Sequence, residues 1–269
     1  KEYVEQGGDV NKKGSKGITA LMEAIAIQDK SKAQYLIEQG ADVNATSDDG
    51  KTAYSIAFGN DELVDLLKNA GANTNPTYLL LLAIEHNNTR SAKAMIENRE
   101  AIGLDINEQV PQYKTIQQGE PIYEYPLTLA IKKDNLEIVK HLLEAGASLD
   151  IESDQTYDAD TQITDNQETP LILAVKEQND MMVGLLLEEN LKRDIYNRFD
   201  INRTSDSNYT ALYKAVERGY SLITDQLLKA GANPNHHNGP NKTTPIIKAA
   251  QNRDLDMVEL LFEANADPL

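Results

Sequence analysis

The sequence predicts an all-α solenoid of stacked helix–turn–helix units, with short β-hairpin fingers between units and two long inter-repeat loops. Three observations lead to this class: a pair of short amphipathic helices, the recurrence of that pair along the chain, and helix-ending residues at a fixed spacing. The best-preserved copy covers residues 210–235. Four apolar residues share one face of its first helix: Ala211, Leu212, Ala215 and Val216.

The second helix of this copy follows a break at Gly219. It has four apolar positions: Leu222, Ile223, Leu227 and Leu228. We expect it to end before Gly231, because glycine readily takes the left-handed conformation just past a helix C-terminus. Neither helix could bury its apolar face alone, so each copy needs a neighbour of the same kind.

Six further copies align with this one through an alanine five residues after the first position of each unit. The units start at Thr19, Thr52, Tyr78, Tyr125, Thr169, Thr210 and Thr244. In six units a predicted helix-ending residue lies 21 positions later: Gly40, Arg99, Gly146, Asn190, Gly231 and Asn265. The second unit is two residues shorter and ends at Gly71, and residues 1–11 form a partial unit.

The segments T-P-L-I-L-A at 169–174, T-P-I-I-K-A at 244–249 and G-A-D-V-N at 40–44 resemble the ankyrin repeat. The resemblance covers nearly the whole chain and implies one ankyrin-repeat domain over residues 1–269. It also implies a non-catalytic protein–protein interaction module that binds through its fingers and a concave groove formed by the first helices. The histidine usual in the T-P-L-H segment is absent from all seven units, which indicates a divergent array.

Two connections between units are much longer than the others. Residues 108–124 hold enough apolar side chains to pack, whereas residues 154–168 are acidic and polar. Insertions in repeat arrays fall in loops and often lie on the binding side. We therefore expect both loops to contribute to binding, and we expect the array to form one continuous body.

Composition excludes several classes of function. The net charge of −17 opposes binding to nucleic acids, and no apolar run is long enough to span a membrane. The absence of cysteine excludes disulfides, thiol catalysis and cysteine zinc sites. No catalytic motif or cofactor site is found, so the chain is predicted to be a monomeric non-enzyme. The sequence does not determine the cellular compartment. We slightly favour the cytoplasm, and the protein could be exported or secreted if an upstream signal was removed.

The predicted partner-binding residues lie mainly where the first helices end. Lys132, Lys133, Lys176 and Arg218 form a basic strip in an acidic chain, and His86 occupies the equivalent position in another unit. Three tyrosines are predicted to flank the strip: Tyr113, Tyr123 and Tyr209. This pattern predicts a groove that receives an acidic segment of a partner protein. The alternative is an ordinary solvated surface, because helix C-termini favour Lys and Arg.

Two alternative functions stay open. The acidic loop 154–168 could bind a metal, although Ile163 stands where a calcium loop needs glycine. The adjacent His236 and His237 point to opposite faces of a finger and do not make a zinc site with the residues nearby. The chain begins within what reads as a second helix. It could therefore be a regulatory domain of a larger protein with a catalytic or membrane part upstream.

Overall fold

The computed structural model describes residues 8–57, 60–117, 120–151, 156–157, 164–165, 168–194 and 198–267. The side chains of residues 111–122, 156–157 and 164–165 lie outside this description. The chain divides into two compact units, Lys1–Glu108 and Gln109–Leu269. Most of the predicted partial unit, residues 1–7, lies outside the described residues.

The first unit consists of short helices that pack in antiparallel pairs. The helices are α1 (Ala20–Ala26), α2 (Lys30–Glu38), α3 (Ala53–Ile56), α4 (Asp61–Asn69), α5 (Pro76–Glu85), α6 (Thr89–Glu97) and α7 (Arg99–Ile102). Within pairs, α1 contacts α2, α3 contacts α4 and α5 contacts α6. Between pairs, α1 contacts α3 and α2 contacts α4, so equivalent helices stack.

The second unit repeats this arrangement four times. Two antiparallel hairpins, β1–β2 and β3–β4, precede its first two helix pairs. Its elements are β1 (Val110–Gln117), β2 (Glu120–Glu124), α8 (Pro126–Lys132), α9 (Leu136–Glu144), β3 (Thr156–Tyr157), β4 (Thr164–Asp165), α10 (Pro170–Lys176), α11 (Asp180–Lys192), α12 (Ala211–Glu217), α13 (Ser221–Lys229), α14 (Pro245–Asn252) and α15 (Leu255–Glu263). First helices stack on first helices, from α8 through α14, and α9, α11 and α13 stack likewise.

The predicted register is visible in the core. The alanine five residues into each unit is buried in all seven units: Ala24, Ala57, Ala83, Ala130, Ala174, Ala215 and Ala249. A small side chain at this position suits the close approach of neighbouring helices. Threonine side chains cap the N-termini of several first helices. At Thr169, the side chain accepts a hydrogen bond from the backbone N–H of Ile172.

An asparagine amide links each of several turns to the turn of the next repeat. The Asn44 side chain donates to the Gly71 carbonyl at 3.2 Å and accepts from the Asn73 N–H at 2.7 Å. Asn11 and Asn235 make equivalent bonds to the turn of the repeat that follows each of them. Asn11 bonds Gly40 and Asp42, and Asn235 bonds Asn265 and Asp267. Each amide therefore satisfies one backbone carbonyl and one backbone N–H of the turn in the next repeat.

The first long connection differs from the expected loop. Strands β1 (Val110–Gln117) and β2 (Glu120–Glu124) form an antiparallel pair, with Val110 opposite Glu124. A register irregularity separates the pairs at Gln112 and Ile116. This hairpin is an enlarged version of the fingers, which elsewhere contain single bridges such as Thr46 with Thr52 and Thr204 with Thr210.

Three predicted boundaries differ from those in the structure: the unit start at Tyr78 and the helix ends at Arg99 and Asn190. Tyr78 lies inside α5, because Asn75 caps this helix and Pro76 starts it. In the third unit, α6 ends at Glu97, and a separate short helix, α7, begins at the predicted end position Arg99 and ends before Gly103, which has a positive φ of 67°. Asn190 lies within α11, where its amide bonds both backbone groups of Phe199 and holds the exit segment against the helix.

Candidate functional site

Lys132 lies at the end of α8 and pairs with a buried carboxylate. Its Nζ is 2.6 Å from Oε2 of Glu124, which ends the β1–β2 hairpin and is 3% exposed. The hydroxyl of Thr128, one turn before Lys132, donates to the other oxygen of the same carboxylate. The positive charge of Lys132 is therefore neutralised within the protein.

Lys176 repeats this contact in the next unit. Its Nζ lies 2.9 Å from Oε1 and 3.0 Å from Oε2 of Glu168, which is fully buried. Both glutamates directly precede the first position of their unit, and both lysines follow eight residues later. Two of the four cations in the predicted basic strip, Lys132 and Lys176, are thus neutralised by carboxylates of the same chain.

The following unit replaces both partners. Tyr209 stands where the glutamates stood, and Glu217 stands where the lysines stood. The Tyr209 ring lies 5.1 Å from that of Tyr213, with an interplanar angle of 31°. Lys214 lies over the Tyr209 ring, with its Nζ 4.3 Å from the ring centroid. This distance and placement make a cation–π contact.

Glu217 is shared by two lysines from neighbouring first helices. Its carboxylate is 3.5 Å from Lys214 on α12 and 3.3 Å from Lys248 on α14. Arg218 follows directly, ends α12 and is exposed. We call Tyr209, Tyr213, Lys214, Glu217 and Lys248 the tyrosine–lysine patch, which holds two lysines and one carboxylate.

The finger beside the patch fixes the position of Tyr209. Buried Asn238 accepts hydrogen bonds from the Thr210 N–H at 2.8 Å and from its hydroxyl at 3.1 Å. Gly239 has a positive φ of 64° and packs against the Tyr209 ring so closely that a Cβ would lie 2.6 Å from its hydroxyl oxygen. Only glycine fits at this contact without moving the ring.

Tyr213 forms the buried floor of the patch. Burial raises the pKa of its hydroxyl to about 12, with smaller contributions from the charge of Glu217 and from Tyr209. The phenol therefore stays neutral over the whole physiological range. Tyr213 occupies the position of the histidine in the T-P-L-H segment, so an aromatic residue replaces that imidazole here.

The remaining predicted contact residues have different surroundings. His86 lies at the end of α5, where its Nδ1 is 3.0 Å from the Asp48 carbonyl, so it holds a finger in the first unit. Lys133 ends α8 and is exposed. Tyr123 lies on β2 and is partly exposed, and Tyr113 lies on β1 with its side chain outside the described residues.

Most of the acidic loop 154–168 lies outside the described residues. In the parts of the chain that are described, no group of three His, Asp or Glu side chains is arranged to hold a metal ion. His237 instead bonds the Lys242 carbonyl within its own finger, at 3.0 Å from Nδ1. Over the same residues, every helix is too short or too polar to cross a membrane.

Sequence reasoning found Tyr209 and Arg218 but missed the lysines that accompany them. Lys214 and Lys248 both lie four residues after the first position of their units, where five earlier units have other residue types. Reading that single position along the array would have revealed the pair. Reading the position before each unit would have revealed Glu124 and Glu168.

Comparison with protein families gives a match over nearly the entire chain. A family described as ankyrin repeats (three copies) matches residues 1–78, 80–198, 127–238 and 190–269. A putative ankyrin repeat-containing protein of Treponema pallidum is 27% identical over 161 residues, or 60% of this chain and 47% of that protein. Human BCL-6 corepressor-like protein 1 is 38% identical over 69 residues, which are 26% of this chain and 4% of that protein.

The ankyrin repeat and KH domain-containing protein mask-1 of Caenorhabditis elegans is 28% identical over 140 residues, which are 51% of this chain and 4% of that protein. The chain thus spans about half the length of the Treponema relative and a small part of the other two. The solved ankyrin repeat domain of Bcl-3 is similar in fold, with a TM-score of 0.58 and 22% identity. That match covers 92% of this chain and all of the solved domain, and it confirms the predicted all-α class.

Proposed function

Because the chain belongs to the ankyrin-repeat family, whose members are generally non-catalytic interaction modules, we propose that it binds a partner protein through the tyrosine–lysine patch. The bound segment is acidic. The observation that carries this proposal is the sharing of Glu217 by Lys214 and Lys248, with Arg218 beside them.

Charge supports an acidic partner at this patch more than elsewhere on the predicted strip. Lys132 and Lys176 each face a buried carboxylate of their own, so a partner gains little by approaching them. At the patch, Lys214 and Lys248 share the single carboxylate of Glu217, and the exposed Arg218 follows directly in a chain of net charge −17. A local field of sign opposite to the rest of the surface orients a charged partner and raises its association rate.

The tyrosines provide the apolar part of the contact. Tyr209 is half-buried and supported from below by Tyr213, so its ring offers a fixed surface. Tyrosine is enriched in interface cores because it buries a large area at a low cost in side-chain entropy. Four other residues stay predicted contacts with the partner protein: Lys133, His86, Tyr113 and Tyr123. Of these, Tyr123 lies on the β1–β2 hairpin and is partly exposed.

Selection from a library of random linear peptides tests the proposal and does not require the partner to be identified first. Immobilised protein should enrich sequences that combine Asp or Glu with an apolar residue. A variant carrying Arg218→Ala and Lys248→Ala should lose that enrichment. The matched control carries Lys140→Ala and Lys229→Ala, which removes two exposed cations from α9 and α13.

Two outcomes would contradict the proposal. The first is enrichment of basic or purely apolar peptides by the unmodified protein. The second is equal enrichment of acidic peptides by the patch variant and the control, since both have the same net charge. Thermal unfolding of each variant shows whether a loss of enrichment comes from a loss of folding.

A further inference from the structure

Two exposed arginines, Arg218 and Arg253, lie at the ends of neighbouring first helices. Arg218 directly follows α12, and Arg253 directly follows α14. The two helices contact each other in the stack, and stacked helices pack about 8–10 Å apart. Two long side chains that leave adjacent turns over this distance can reach one ligand.

The turns that carry the arginines are aligned residue by residue. The Asn252 side chain donates to the Glu217 carbonyl at 3.1 Å, and these two residues directly precede the arginines. Gly219 and Asp254 directly follow them, and a Cβ at Gly219 would lie 3.9 Å from Oδ2 of Asp254. Contacts before and after the arginines therefore place the two residues opposite each other.

Both guanidinium groups lack an anionic partner within the part of the chain that the structure describes. There, no carboxylate lies within 4.0 Å of Arg218 or Arg253, and neither side chain donates a hydrogen bond. The nearby carboxylates have other partners: Glu217 is shared by the two lysines of the tyrosine–lysine patch, and Asp254 accepts a hydrogen bond from the backbone at the start of α15. The donors of both arginines are therefore available to a ligand.

The chemistry of two facing guanidinium groups selects the kind of anion. Each group presents planar pairs of N–H donors, and one such pair satisfies both oxygens of a carboxylate. A phosphoryl group offers three acceptor oxygens and carries a charge of about −1.5 to −2 at pH 7. Two arginines that meet at one place therefore match a phosphoryl group better than a carboxylate.

We propose that Arg218 and Arg253 together bind a phosphorylated side chain in the acidic segment of the partner protein. This inference rests on the proposed function, because the tyrosine–lysine patch takes the residues beside the phosphoryl group. Arg218 directly follows Glu217 of that patch, so the two contacts adjoin. Glu177 occupies the position of Arg218 one repeat earlier, which confines the arginine pair to the last two repeats described.

Peptide libraries that differ only at a fixed central position test this specificity. The central residue is phosphoserine, Ser, Glu or Glu-Glu, and the last of these matches the charge of the phosphoryl group. Selected phosphoserine peptides should bind the full chain at least about tenfold more tightly than the same peptides with Glu-Glu. Equal affinity would overturn the arginine site and leave the proposed function standing, whereas no retention of any library would contradict the proposed function as well.

Substitutions at Arg253 locate the phosphoryl contact. Arg253 has a positive φ of 59°, and Gly219 has a φ of 73° at the same position of the preceding unit. Arg253→Gly should therefore fold and melt no lower than the unmodified protein. It should lose the preference for phosphoserine while its affinity for the Glu-Glu peptide changes much less.

Two further variants separate the guanidinium from its charge. Arg253→Lys keeps the charge and the favourable interaction with the helix end but loses the planar donors, so its preference for phosphoserine should fall. The control Arg90→Ala removes an exposed arginine from α6 in the first unit and should keep the full preference. An unchanged preference in Arg253→Gly, or an equal loss in the control, would overturn the proposal.

A single-stranded oligonucleotide tests the competing source of phosphoryl groups. Displacement of the phosphoserine peptide by the oligonucleotide at equal concentration would show that a nucleic-acid backbone occupies the arginines, and would overturn the proposal. A peptide that stays bound, together with the preference for phosphoserine over Glu-Glu, supports it.

Discussion

Lys176 Nζ lies 2.9 Å from a carboxylate oxygen of Glu168, and that glutamate is fully buried. The pair joins the two ends of α10, since Glu168 lies just before the helix and Lys176 is its last residue. Glu124 and Lys132 join the ends of α8 in the same way. In both repeats a lysine of the predicted strip is paired with a buried carboxylate of the same chain.

The buried glutamate is expected to be important for stability. Glu168→Ala leaves Lys176 without its carboxylate, and we expect the free energy of unfolding to fall by about 2–4 kcal/mol. The exposed pair of Lys140 and Glu144 on α9 is the control, and Glu144→Ala should cost less than about 1 kcal/mol. Urea unfolding measures both. Equal losses would contradict a special role for the buried pair.

The asparagine link between repeats gives a second prediction. Asn44→Ala removes the bonds to Gly71 and Asn73, and we expect a loss of about 1–2 kcal/mol. Asn44→Asp keeps the acceptor for the Asn73 N–H, so its loss of stability should be smaller than that of Asn44→Ala. Hydrogen exchange at the Asn73 amide reports the link directly. If exchange is unchanged in Asn44→Ala, the amide does not connect these turns.

The contact of Gly239 with Tyr209 predicts different costs for two glycine substitutions. Gly40→Ala meets no atom within 4 Å, so its cost comes from the positive φ alone and is about 1 kcal/mol. Gly239→Ala has the same conformational cost and also displaces the Tyr209 ring, so it should lower stability further and weaken binding of acidic peptides. Thermal unfolding compares the two variants, and equal melting temperatures would argue against a tight contact.

Tyr213 gives a prediction about pH. Its pKa is raised from 10.0 to about 12 in the folded protein. The folded state therefore keeps a proton that the unfolded state releases between these values. This contribution to stability is complete below pH 10 and is lost as the pH rises toward 12.

Ultraviolet difference titration against a Tyr213→Phe variant isolates this one phenol. Glu217→Gln removes a negative charge that disfavours the phenolate, so the Tyr213 pKa should fall, while burial, the larger cause, keeps it above 10.0. A titration midpoint at the ordinary tyrosine value in the unmodified protein would contradict the buried position of the hydroxyl.

The repeat register could be predicted from sequence because its signals are local. Buried alanines such as Ala174, threonine caps such as Thr169 and the glycine at Gly231 each act within one turn of helix. The helix end at Asn190 could not be predicted this way, because its amide bonds Phe199, nine residues further along. The sequence shows an asparagine but not which backbone groups it will meet.

The candidate site was only partly predictable for the same reason. The lysine strip was visible as a charge pattern, but the neutralisation of Lys132 depends on where the β1–β2 hairpin returns Glu124 to the helix. Lys214 was overlooked because its contacts come from Tyr209, five residues earlier, and from Glu217. The importance of a charge therefore follows from its partners and not from its sign alone.

The affinity of a library-selected acidic peptide for the patch variant tests the central claim most directly. We expect Arg218→Ala with Lys248→Ala to raise the dissociation constant about tenfold at low salt, and this difference should shrink as salt is added. The control variant Lys140→Ala with Lys229→Ala should bind as the unmodified protein does. Equal affinity of all three proteins, or an equal loss in the control, would contradict binding at the tyrosine–lysine patch.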